Sequence, residues 1–165
     1  MNASSDILNL STNNIVKALL SEYALSIAHF VDVISNIPAS KLAMVVDSTT
    51  KDPDCVSIQS VLSHVVESGY TYVIEIRKWL GEELAYKQKE NLYSIEDYIM
   101  ALDKMFEYNI QLFRDYPDVE LETYSASGKI KVRWGQIYDV EQLYEHAILH
   151  ILRHRRQIEK FMAKL

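Results

Sequence analysis

Glycine and proline are scarce, four and three among 165 residues. A sheet protein full of tight turns needs more of both, so their shortage favours long uninterrupted helices. Cysteine is scarcer still. Cys55 stands alone, which excludes an internal disulfide and is compatible with a reducing compartment. Positive charge is in deficit, with 17 Lys and Arg against 23 Asp and Glu and a net charge of −6. Nucleic-acid backbone and anionic membranes both demand clustered positive charge, so neither is expected as a partner. No apolar run approaches the roughly 20 residues of a membrane span, and Met1–Ser11 is polar, without the basic start and apolar centre of a signal peptide. The expectation is a soluble, cytoplasmic protein with a small-molecule ligand. Apolar residues make up 48% of the chain, enough to bury a core, and 165 residues fit one domain spanning 1–165.

Four periodic segments follow one another. From about Thr12 to Asn36, Ile15, Leu19, Tyr23, Ile27, Phe30, Ile34 and Ile37 form an apolar side, and Pro38 stops the helix. Residues 39–56 read as a long ordered connection around the patch Leu42–Val46. Ser57 is a good N-cap for a second helix that reaches Leu80, where Gly81 can adopt the left-handed conformation. Its buried side is Ile58, Val61, Leu62, Val65, Gly69, Tyr72, Val73, Ile76 and Trp79. Ser94 and Asp97 have capping-box spacing at the head of a third, which Pro117 ends. Ile130, Val132 and Trp134 alternate with Lys129, Lys131 and Arg133, a pattern that predicts a small β-hairpin with Leu121–Tyr124. Asp139 and Gln142 open a fourth helix that runs nearly to the C-terminus. Four amphipathic helices of similar length bury their apolar sides most simply as an all-α four-helix bundle with long connections.

The last segment holds three of the five histidines, His146, His150 and His154, at every fourth residue. An α-helix turns about 100° per residue, so these form a row, on the same face as Leu143, Ala147, Ile151, Ile158 and Phe161. Inward-pointing neutral imidazoles need partners, and a divalent metal is one. A further ligand has to come from another helix. His64 flanks the apolar stripe of the second helix and suits that role, whereas nothing around His29 favours ligation over packing.

On these residues the chain resembles the DinB-like (DinB/YfiT) superfamily of four-helix bundles. The match lies in His150-Ile151-Leu152-Arg153-His154-Arg155-Arg156-Gln157-Ile158 and in Ser60-Val61-Leu62-Ser63-His64-Val65-Val66-Glu67. The resemblance implies that His64, His150 and His154 bind a divalent metal, zinc or nickel foremost, with iron and manganese also compatible with histidine. It also implies a homodimer, and an enzyme that transfers or isomerises groups on a low-molecular-weight thiol. His146 exceeds the family pattern, and its place as ligand or supporting donor stays open. The other reading is a non-enzymatic stress-related or small-molecule-binding bundle with a structural or absent metal.

Other residues carry secondary expectations. Arg153 borders the histidine row and is the candidate for holding a substrate carboxylate or phosphate, while Arg155 and Arg156 read as a charged face near the helix C-terminus. Glu67 has the spacing to orient a ligand or act as a base, but the helical wheel places it opposite the apolar stripe, as a solvated glutamate. Cys55 lies just before the Ser57 cap, where a helix N-terminus lowers a thiol pKa, though a lone loop cysteine is ordinarily incidental. Tyr23 and Tyr72 are candidates to line a pocket near the metal. No residue is singled out as catalytic.

Overall fold

Four helices of 21 to 23 residues carry the fold of the computed structural model, which describes residues 3–165. In chain order these are α2 (Asn14–Ile34), α4 (Ile58–Trp79), α5 (Ile95–Asp115) and α6 (Val140–Met162), accompanied by the short α1 (Ala3–Leu8) and α3 (Ala39–Leu42). Each long helix starts on a side chain that accepts an otherwise unpaired amide: Asn13, Ser57, Ser94 and Asp139. Ser57 and Asp139 are reciprocated by Ser60 and Gln142, and each such cap contributes about 1 kcal/mol. Gly81, at φ 98°, follows the last turn of α4, as its position predicts.

The helices pack in a ring, α2 against α6 and α5, and α4 against α5 and α6. On α2 the buried stripe is Val16, Leu20, Tyr23, Ile27, Phe30 and Ile34, stepping by four and three. Ile15, expected in that stripe, is 50% exposed. The helix is capped at Asn13, and Val16 takes the inward position in its first turn. At the far end of α4, Trp79 is also exposed, whereas Arg77, on the opposite side of the helix, is buried. Its guanidinium pairs with Glu82 and Asp115 and lies over the rings of Tyr108 and Tyr116. Gly69 of α4 packs against Met105 of α5, where an added Cβ would stand 2.3 Å from the Met105 Sδ.

The connections are ordered by their own polar groups. In residues 35–57 the Asp47 carboxylate accepts the amides of Thr49 and Thr50, Val45 bridges to Ser57, and a 3₁₀ turn at Pro53–Cys55 leads into α4. The stretch after Gly81 is pinned to α4: Gln59 donates to the Leu92 carbonyl at 2.8 Å, and the Tyr86 hydroxyl donates to Glu75 at 3.0 Å.

The hairpin lies before α6, but its partners differ from those expected. Strand β1 (Ile130–Lys131) pairs antiparallel with β2 (Ile137–Tyr138), Ile130 opposite Tyr138, around a turn at Gly135 with φ 92°. Leu121–Tyr124 is not a strand. Leu121 is buried, and its carbonyl accepts the Glu141 amide at 3.1 Å, at the head of α6. The polar N-terminal segment also contains a helix that its composition did not announce: α1 packs on α2 and brings Ile7 and Leu10 into the core. Met1 and Asn2 lie outside the described residues. Among the described residues no helix is long and apolar enough to cross a membrane.

Candidate metal centre

Helices α4 and α6 face each other along the seam where His64, His150 and His154 meet. His150 and His154 lie on the core side of α6 at 6% and 2% exposure, one turn apart, and His64 stands half-buried at the edge of α4. The Nε2 atoms converge: His64 to His150 at 3.0 Å and His154 to His150 at 3.1 Å. One ligand nitrogen from each of the three lies within 4.8 Å of the others. An ion about 2.1 Å from each nitrogen holds ligands at 90–109° roughly 3.0–3.4 Å apart, so the spacing of the donor set fits a single ion.

The outer edges of the rings determine where the lone pairs point. His154 Nδ1 donates to Gln157 Oε1 at 2.8 Å, one turn further along α6. Asp54 Oδ2, in the 3₁₀ turn before α4, lies 3.2 Å from His64 Nδ1. A proton held on Nδ1 by an outer acceptor leaves Nε2 as a bare donor atom, the tautomer a metal requires. His64 and His154 thus both aim lone pairs at His150, whose own Nε2 can offer a proton to only one of them. A cation at the point of convergence satisfies all three.

Burial keeps the cluster uncharged. Desolvation pulls the His154 pKa down to about 4, against the smaller opposing effect of Gln157. It drives His150 further down, with the neighbouring His154 and His64 adding to the effect. His64 is lowered too, chiefly by burial, with Asp54 opposing. Neutral imidazole is the form that binds metal, so no proton has to be displaced from these rings near neutral pH.

His146, the first of the row, stands apart from the trio. Its ring is half-buried, 6.2 Å from that of His150, and its Nδ1 lies 3.3 Å from the Tyr138 hydroxyl. His29 is exposed on α2. Of the two tyrosines proposed for a pocket, Tyr72 is present, its ring 5.9 Å from that of His150. Tyr23 is not: it is fully buried in the core against Phe106 and Tyr144, with its hydroxyl 3.6 Å from Met105 Sδ.

One further expectation is corrected. Glu67 is not solvated; it pairs with Arg133 of the hairpin and accepts from the Thr71 hydroxyl at 3.2 Å. The hairpin folds over the outer face of α4, which the helical wheel of α4 alone cannot foresee. Cys55 is not an activated thiol. Burial, helped by the carboxylates of Asp52 and Asp54, raises its pKa, and its Sγ donates to Asp52 Oδ2 at 3.4 Å.

Arg153 is exposed and forms no ion pair among the described residues, and the same holds for Arg156 and Lys160. These three cations line a cleft of about 900 Å³ that also reaches His64, His154 and Asp52. Arg155 differs, pairing with Glu159 at 3.5 Å. Unpaired cations beside a cluster of neutral donors suit a ligand with a carboxylate or phosphate.

Sequence reasoning missed Asp54, since it belongs to a loop whose course the periodicity does not describe. The Asp-Pro-Asp run of residues 52–54, immediately ahead of a helix that carries a histidine, was the available signal. Searches against protein-family models, curated proteins and solved structures give no match to this chain.

Proposed function

We propose that the chain is a metal-dependent enzyme that transfers or isomerises groups on a low-molecular-weight thiol, in the manner of the DinB-like bundles it resembles. The observation that supports this reading is the convergence of three Nε2 atoms with two of the outer Nδ1 edges occupied by acceptors. His64, His150 and His154 are the residues that would hold the ion. A divalent ion there supplies positive charge that lowers the pKa of a thiol or water brought against it. Three protein ligands leave coordination positions open, as a reactive site needs and a closed structural site does not.

The chain's own residues do the rest. Asp54 and Gln157 hold the imidazoles in the donating tautomer, Tyr72 and the buried wall of α6 limit water on the inner side, and Arg153 engages an anionic group of the substrate from the cleft. The test is elemental analysis of the purified protein beside His150→Ala, followed by a panel of bacillithiol, mycothiol and glutathione with a generic electrophile. One ion per chain, lost in the variant, with a metal-dependent rate for one thiol is the expected result. Equal substoichiometric metal in both proteins would leave only the non-enzymatic bundle.

A further inference from the structure

The histidine trio opens on two sides, and the second side is unlike the first. Away from the cationic cleft lies a cleft of about 410 Å³ between α4, the hairpin and the first half of α6. That volume falls within the roughly 300–1,000 Å³ of small-ligand sites. His64 and His150 form part of its wall, and Arg153 borders both clefts.

Its lining is mixed, with one aromatic stretch at Tyr72, Trp134 and His146 set beside Glu67, Arg133 and Arg153. Trp134, in the turn of the hairpin, has its ring 5.9 Å from Tyr72, 6.1 Å from His146 and 6.3 Å from Tyr138. The indole N–H donates to Gln136 at 3.0 Å, so the polar edge of Trp134 is satisfied within the hairpin while the residue stays 39% exposed. A large ring with its one donor already paired has only an apolar face to offer a ligand.

The hairpin is fastened in place. The buried Glu75 carboxylate on α4 accepts the Arg133 amide at 2.8 Å, and the Arg133 guanidinium pairs with Glu67 while lying over the Tyr86 ring. Trp134 is therefore held by its neighbour in sequence rather than left on a fraying turn. An aromatic ring held in position at the rim of a polar cleft offers a planar apolar group one surface to stack on, while the polar lining remains for the rest of the molecule.

We propose that this second cleft is a subsite for a neutral planar group, an aryl or conjugated portion of the molecule that receives or undergoes the transfer, laid against the exposed side of Trp134 beside the imidazoles of His64 and His150. Its chemical purpose rests on the thiol-transfer reading, since such a reaction brings two reactants to one centre from different directions. Binding in the cleft does not depend on that reading, because no wall of it is made by an ion.

The probe is 4-nitrobenzyl alcohol, titrated by calorimetry into the full chain after chelator treatment, with the non-planar cyclohexylmethanol as comparison. Tryptophan fluorescence in a Trp79→Phe background, which leaves Trp134 as the sole reporter, follows the same titration. We expect saturable binding with quenching of Trp134, at least tenfold weaker binding in Trp134→Ala, recovery to within threefold in Trp134→Phe, and unchanged metal content in both. Cyclohexylmethanol is expected to bind at least tenfold more weakly than the planar probe. Non-saturable quenching, or equal affinity in the parent and Trp134→Ala proteins, would overturn the subsite while leaving the metal reading intact. Conversely, loss of metal binding without loss of probe binding would remove the thiol chemistry and keep the subsite.

Discussion

The Nε2 atoms of His64 and His150 face each other at 3.0 Å across the α4–α6 seam, although 86 residues separate them in the chain. With His154 completing the trio, the native bundle presents a donor set that the unfolded chain cannot.

Metal should therefore stabilise the fold by mass action. At a hundredfold excess of free ion over its Kd the gain is about 2.7 kcal/mol, which for a chain of this size corresponds to a rise in Tm of roughly 5–10 °C. Zinc or nickel added to chelator-treated protein is expected to raise the calorimetric Tm by that amount, and to leave the Tm of His150→Ala within a degree of its metal-free value.

Asp54 is expected to matter without touching the ion. Removing the group that orients a ligand typically weakens metal binding about 10–100-fold, so Asp54→Ala should lose that much affinity in competition against a chromogenic chelator. Gln157→Ala, which removes a neutral acceptor from His154, should lose less.

Acid should destabilise the metal-free protein through the same histidines. Folding lowers the pKa of His154 to about 4 and that of His150 further, below the ordinary value of 6.5. Below about pH 6.5 the unfolded chain takes up protons that the folded chain refuses, so unfolding becomes easier as the pH falls. Urea midpoints measured on chelator-treated protein should be flat above pH 7 and decline steadily from pH 6.5 towards pH 4. His150→Ala should show a shallower decline.

Gly69→Ala gains helix propensity, about 1 kcal/mol, yet its new methyl would meet Met105 Sδ at 2.3 Å in a fully buried contact. Overpacking of this kind costs about 1–3 kcal/mol. The net expectation is a loss of about 1 kcal/mol in ΔG of unfolding by urea titration, whereas in a Met105→Ala background, where the room exists, Gly69→Ala should add stability relative to Met105→Ala alone.

The long helices and their caps were legible because they rest on local chemistry: Ser57, Ser94 and Asp139 cap where their spacing says they should, and the apolar stripes of α5 and α6 follow the helical period. His64, His150 and His154 were identifiable for the same reason, as helix positions keep their faces wherever the bundle places them. What escaped depended on loops. Asp54 beside His64, the pairing of Glu67 with Arg133, and Trp134 over Tyr72 are all set by how connections fold back, and no period records that. Ile15 and Trp79 show a smaller failure, both at helix ends, where Val16 took the inward place beside Ile15 and the last turn of α4 left Trp79 at the surface.

The ring order of the helices gives the histidine seam one more property. The chain between His64 and His150 contains all of α5 and the hairpin, so an ion shared by the two residues closes a large covalent loop and acts as a removable cross-link. While the ion stays bound, such a clasp restricts partial opening of the enclosed segment, and the more so the longer the loop. Occupancy would then be felt far from the seam, as slower opening of α5 in hydrogen exchange, and withdrawal of the ion would release the whole enclosed half of the molecule together.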